Sequence, residues 1–157
     1  MSIRSRPAWI LALTVLIAAL AGPAAAQAPD LSSPVGLWKT FDDATGKPGG
    51  IVRLYLQDGR IYGKIEKSFR EGADTRTCVD CTDERRNQPI IGLVFLRAMQ
   101  RENDEYRGGD ILDPDNGSVY RCKLQLEEGG RKLRVRGYLG ISLFGRTQIW
   151  ERVNGEQ

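Results

Sequence analysis

The chain of 157 residues contains no histidine. That absence removes serine–histidine triads, histidine general bases and every histidine-ligated metal site. Long apolar runs are also missing. The strongly apolar stretch Trp9–Ala21 is 13 residues, short of the roughly 20 that a spanning helix needs. Beyond it there is no convincing long amphipathic helix, no internal repeat and no low-complexity tract. Charge of one sign is scarce too: 23 Lys and Arg face 20 Asp and Glu. A near-neutral chain gives no global electrostatic case for nucleic acid.

The N-terminal segment reads as a cleavable secretory signal. Arg4 and Arg6 give a positive start, Trp9–Ala21 an apolar middle, Gly22-Pro23 a helix break, and Ala24-Ala25-Ala26 the small residues a signal peptidase seats. The cut is expected before Gln27, and no cysteine follows it for lipid attachment. Losing the two arginines lowers the charge excess from three to one. What remains suits one domain that buries its own core. The expected organisation is signal peptide 1–26, flexible lead-in 27–34, barrel 35–153 and tail 154–157. The protein is expected in the periplasm or secreted, without an integral membrane segment after processing.

Three cysteines remain, Cys78, Cys81 and Cys122. In an oxidising compartment two should pair, and the odd count leaves one thiol over. Cys78-Val79-Asp80-Cys81 has redox spacing, but no helical apolar pattern follows to lower a thiol pKa. Three cysteines without histidine make a poor zinc site. The expected bridge is Cys78–Cys81, with Cys122 inward and free.

The mature chain is patterned for strands. Asp58-Gly59 is a hairpin turn between Ile51–Gln57 and Arg60–Ser68. Pairing outward from it sets Leu56, Leu54 and Val52 opposite Ile61, Gly63 and Ile65 on one face. Arg53, Tyr55, Tyr62, Lys64 and Glu66 take the other. Gly129-Gly130 repeats the construction, setting Leu126 against Leu133, Leu124 against Val135, and Cys122 against Gly137. Adding Val35–Phe41, Ile90–Met99, Glu105–Leu112 and Thr147–Val153 gives eight strands. An antiparallel meander of that length removes its edges by closing.

Gly36-Leu37-Trp38 on the first strand, with Arg152 on the last, resembles the lipocalin signature, in which an arginine of the closing strand covers an early tryptophan. Longer strings add to it: Pro89-Ile90-Ile91-Gly92-Leu93 after the Cys-x-x-Cys, Gly109-Asp110-Ile111-Leu112-Asp113-Pro114, Val135-Arg136-Gly137-Tyr138-Leu139-Gly140 and Gly145-Arg146-Thr147-Gln148-Ile149-Trp150. Together these resemble the bacterial exported family catalogued as domain of unknown function 2147, over nearly all of Pro34–Val153. The resemblance implies an all-β, eight-stranded antiparallel lipocalin-like (calycin-type) barrel in the envelope or outside the cell. It implies no established activity and no catalytic residues.

The inward face, Trp38, Val52, Leu54, Ile65, Tyr120, Leu124, Val135 and Trp150, is the candidate lining of a cavity for a small, largely apolar ligand. The alternative is a packed core, since eight strands can enclose either. Gly63 and Gly137 leave inward room, or mark bends. Trp38 and Arg152 are expected to be structural, a guanidinium stacked on an indole. Ile141, Leu143 and Phe144 are apolar residues in a loop, expected to cap or lid a barrel end. Asp113–Gly117, near Asp110, reads as a turn rather than a calcium loop, and Asp83-Glu84-Arg85-Arg86 as a solvated run. The leading expectation is a monomeric binding protein with no cofactor, metal or nucleic-acid partner. An envelope structural or interaction module with a solid barrel is the second reading, and a histidine-independent enzyme the third.

Overall fold

The computed structural model describes residues 30–154 apart from 142 and 144. The leader, its cut site, Ser142, Phe144 and the last three residues lie outside the described residues. No helix among the described residues is long and apolar enough to cross a membrane.

Among the described residues nine strand segments run in chain order: β1 Gly36–Phe41, β2 Pro48–Gln57, β3 Arg60–Ser68, β4 Val94–Glu102, β5 Glu105–Arg107, β6 Asp110–Asp113, β7 Ser118–Glu127, β8 Lys132–Tyr138 and β9 Gly145–Arg152. Each described pairing is antiparallel, and β9 returns to β1 through Trp38 opposite Arg152 and Lys39 opposite Glu151. β5 and β6 both bridge β4 and β7, so they form one rung of a closed eight-stranded barrel. The sequence reads that rung as one strand, Glu105–Leu112. It breaks at Gly108-Gly109, where Gly108 has φ +83° and a Cβ on Gly109 would sit 2.0 Å from the Arg97 carbonyl oxygen. Backbone approaches that close admit only glycine.

Both hairpins take the expected register. Leu54 pairs with Gly63 and Val52 with Ile65; Leu124 pairs with Val135 and Cys122 with Gly137. Asp58 and Gly59 both have positive φ, as a tight two-residue turn on right-twisted strands requires. The second turn is wider, a 3-10 turn over Glu128–Gly130. On the outer face of the first hairpin, Arg53 Nε donates to Glu66 at 2.6 Å and the Tyr55 and Tyr62 rings stack at 6.1 Å. Leu56 is the exception to the expected inward face: it is exposed, although its ladder partner Ile61 is buried.

The fourth strand starts later than expected. Ile90–Leu93 is a turn, closed by the Leu93 amide donating to the Ile90 carbonyl at 3.2 Å with Gly92 at φ +89°. Both Ile90 and Leu93 are buried. The apolar run reported burial, and an apolar run alone cannot distinguish a strand from a buried turn.

Between β3 and β4 a long connection is pinned to the barrel. The Cys78–Cys81 disulfide closes its centre, and a Cβ on Gly117 would meet the Asp80 carbonyl oxygen at 2.0 Å, so this loop lies directly on the β6–β7 turn. Asp83-Glu84-Arg85-Arg86 departs from the expected solvated run at one member, Glu84 and Arg86 being exposed. Arg85 is only 4% exposed, its Nη2 donates to Asp83 at 2.6 Å, and its Nη1 reaches the Val94 carbonyl at 3.4 Å. A buried guanidinium needs such a partner. The hydrogen bonds from Arg85 hold the Asp83 carboxyl down at about 2, against burial acting the other way.

Candidate functional site

The interior divides into two levels. At the end that carries the Trp38–Arg152 pair the barrel is solid: Trp38, Leu54, Leu96, Met99, Leu124 and Leu133 are fully buried. This end is sealed by Arg152, whose guanidinium lies 4.3 Å from the centre of the Trp38 ring. Its three nitrogens donate to the carbonyls of Gly130, Val35 and Ser33 at 2.7, 2.8 and 2.6 Å. Trp38 Nε1 donates to the Pro34 carbonyl at 2.8 Å. Residues 33–35 are thereby tied to the barrel.

At the other end, the C-terminal halves of β1, β3 and β8 and the N-terminal halves of β2, β7 and β9 surround a cavity of about 500 Å³. Its deeper wall is apolar, with Val52, Ile65, Phe95, Ile111, Val135 and Trp150. A bulge in β4, at the register shift opposite Gly63 and Lys64, inserts Phe95 beside Leu96. The Phe95 and Trp150 rings stand 6.0 Å apart and tilted at 51°, a favourable aromatic geometry. Trp150 Nε1 donates to Gln148 Oε1 at 2.9 Å, so the indole presents no unsatisfied donor.

Of the residues singled out in the sequence, Val52, Ile65, Tyr120, Val135 and Trp150 line this cavity. Trp38, Leu54 and Leu124 do not; they belong to the packed level below, a correction to the expected lining. The two inward glycines also separate. At Gly63 a Cβ would meet Leu54 Cδ2 at 2.7 Å and Leu96 Cβ at 3.0 Å, so neighbours already occupy its space. At Gly137 the nearest atoms, on Ile111 and Tyr120, lie at 3.5 and 3.6 Å, ordinary contact beside the open volume. Sequence reasoning missed Phe95, hidden in a run without alternation, and Arg70 and Arg76, which lie on a loop whose path no pattern fixes.

The mouth is polar and internally paired. Arg70 and Arg76 converge on Asp115, Arg76 Nη2 reaching Oδ1 at 2.7 Å. Burial acts to raise the Asp115 carboxyl, and the hydrogen bonds from Arg76 and Arg70 outweigh it, leaving the pKa lowered. Arg146 pairs with Asp43, which also accepts from Gln148 Nε2 at 3.0 Å. Asp113 caps its own turn, accepting from the Asp115 amide at 3.0 Å and from Asn116 Nδ2 at 3.2 Å. This is the arrangement of a hairpin turn.

The β8–β9 loop stands beside this mouth. Leu139 lines the cavity on one side, yet Leu139, Ile141 and Leu143 are 64%, 63% and 77% exposed. Phe144, the third residue of the expected lid, lies outside the described residues. Arg136 ties the loop to the wall, donating to Thr147 Oγ1 at 2.7 Å and to the Leu143 carbonyl at 3.2 Å.

Cys122 is a free, fully buried thiol. Burial raises its pKa, with the nearby Asp110 carboxylate adding to the effect.

No curated protein matches the chain in sequence. Among solved structures, the barrel is similar to the protein HP1028 from the human pathogen Helicobacter pylori, described as belonging to the lipocalin family. The two chains share 20% identity at a TM-score of 0.67, over 78% of this chain and 84% of that one. At that identity the likeness speaks for the fold: an eight-stranded, lipocalin-like barrel. The model of the family described as "Uncharacterized protein conserved in bacteria (DUF2147)" matches residues 36–152, from the first strand to the last, and the chain belongs to that family.

Proposed function

We propose that this is an exported, monomeric binding protein that holds one small, largely apolar molecule in the open half of its barrel. The observation that carries the reading is the cavity of about 500 Å³ above a solid floor. Ligand sites of roughly 300–1,000 Å³, apolar within and with a few polar groups at the entrance, are the common form. The lipocalin-like fold is compatible with such a role, and the argument for it rests on the site. The lining offers aromatic faces at Phe95 and Trp150 and aliphatic walls at Val52, Val135 and Ile111. The ion pairs of the mouth leave its charges locally balanced, which favours a ligand whose buried part is uncharged. Of the apolar residues of the β8–β9 loop, Leu139 reaches the rim of this cavity.

Export is supported by the leader and by the Cys78–Cys81 disulfide, since disulfides persist in oxidising compartments. N-terminal sequencing of protein recovered from the periplasm or medium should begin at Gln27; an intact Met1 would reject processing. The binding reading is tested with an apolar fluorophore. Its emission should rise on adding the barrel and saturate at one site. Absence of saturable binding by any neutral apolar probe would favour the rival, an interaction module that works through its loops.

A further inference from the structure

The outer wall beside the mouth carries a second pattern. Strand alternation sends Leu133, Val135 and Gly137 inward and leaves Lys132, Arg134 and Arg136 facing out on β8. On the neighbouring β7 the outward residues near the mouth are Val119, Arg121 and Lys123. Lys123 lies directly opposite Arg136 in the ladder. Like charges at paired positions destabilise a sheet, so Lys123 gains nothing from its place opposite Arg136, whose own bonds go to Thr147 and the Leu143 carbonyl.

Further from the mouth the cations are neutralised: Arg134 pairs with Glu127 at 2.5 Å and Lys132 with Glu128 at 2.8 Å. Nearer the mouth, Arg121 faces Asp110 across the β6–β7 ladder and Lys123 acts on Glu105 at longer range, but among the described residues neither cation has a carboxylate within ion-pair distance. Arg121 pairs with Tyr138, immediately before Leu139. The basic strip thus leads straight into the apolar tip, and Val119, also exposed, continues the apolar side.

From this geometry we propose that the β7–β8 corner of the open end docks on an anionic phospholipid bilayer. Leu139, Ile141 and Leu143 enter the acyl boundary, and Arg121 and Lys123 meet lipid phosphates. Successive outward residues of a strand are about 6.6–6.8 Å apart. Arg121 stands level with Tyr138, next to the tip, and Lys123 one such step further back, level with Arg136, so both cations fall within reach of the headgroup layer when an apolar element sinks about 5–10 Å. Large apolar side chains at a loop tip, backed by cations, complement a lipid interface, where apolar burial and electrostatic attraction add. Because Leu139 also lines the mouth, docking would set the cavity entrance against the lipid. The inference stands on the outer wall, not on the cavity, and its failure leaves the binding reading untouched.

The test uses the chain beginning at Gln27, which retains the whole closed barrel and lacks the apolar leader that would itself partition into lipid. Co-sedimentation compares vesicles of phosphatidylcholine alone with vesicles of mixed phosphatidylcholine and phosphatidylglycerol. The protein should pellet with the mixed vesicles and be released by salt. The double variants Ile141→Asp/Leu143→Asp and Arg121→Glu/Lys123→Glu should each weaken association about tenfold or more. Both should keep the wild-type circular dichroism, since all four side chains lie outside the core. Lack of preference for the mixed vesicles, or binding at the wild-type level by either variant, would overturn the proposal. So would a dimer that these variants split in the absence of any vesicle binding.

Discussion

Arg152 and Trp38 face each other across the strand pair that closes the barrel, with the guanidinium 4.3 Å from the indole centre. No carboxylate lies within ion-pair distance of this buried cation among the described residues. Three backbone carbonyls and an aromatic face carry its charge. The pair is therefore the clasp of the fold: it joins the last strand, the lead-in to the first, and the β7–β8 turn.

Arg152→Ala should cost about 2–4 kcal/mol, because it leaves buried carbonyls unpaired and strips the indole of its cover. Arg152→Lys should recover only part, since a point charge cannot serve three diverging carbonyls. Urea unfolding measures both. Stability within 0.5 kcal/mol of wild type for Arg152→Ala, on about that error scale, would remove the clasp from the account.

The two inward glycines should respond oppositely to enlargement. Gly63→Leu forces atoms into Leu54 and Leu96 and should destabilise by about 1–3 kcal/mol or more, as overpacking does. Gly137→Leu projects into open volume and should change stability little while weakening the fluorophore. Comparable stability losses at the two sites would contradict the division into floor and cavity.

The Asp83–Arg85 pair gives a stability dependence on acid. Asp83 has a folded pKa of about 2, below its ordinary value of 3.8. Its contribution is then fully present above the unfolded value and is lost as pH falls towards the folded one. Wild type should be more stable than Asp83→Asn at pH 6, with the gap closing between about pH 4 and 2. Thermal melts of both proteins across that range provide the check; a gap constant with pH would reject the pairing as its source.

Cysteine reactivity follows burial. Cys122 should resist a thiol reagent in the folded protein and react on denaturation, because its thiolate is disfavoured in the core. Reducing Cys78–Cys81 should cost only about 1–2 kcal/mol by the loop-closure model, as the ring is short. Rapid labelling of Cys122 in native protein would mean that the floor is open.

The barrel was legible where turn chemistry and alternation agreed. Asp58-Gly59 and Gly129-Gly130 fixed two registers, and each register assigned a whole face. Tyr120, Val135 and Trp150 could be placed in the cavity for that reason. Height along the barrel was not legible: Leu54 and Val52 share a face and differ only in level, and level depends on how all eight strands tilt and stagger. That is why Trp38, Leu54 and Leu124 were assigned to the lining and belong to the floor. Arg85 misled for a related reason, since a run of charges in sequence does not reveal that one member turns inward to a carbonyl and a carboxylate. Phe95 enters through a bulge, which breaks the alternation that would have announced it.

The central claim is that the open half of the barrel holds a guest, and native mass spectrometry of protein gently isolated from its own cells tests it most directly. The account predicts a single added mass that organic solvent removes, present on wild type and absent or strongly reduced on Gly137→Phe, with both proteins folded. Bare wild-type protein, or the same added mass retained by Gly137→Phe, would contradict it.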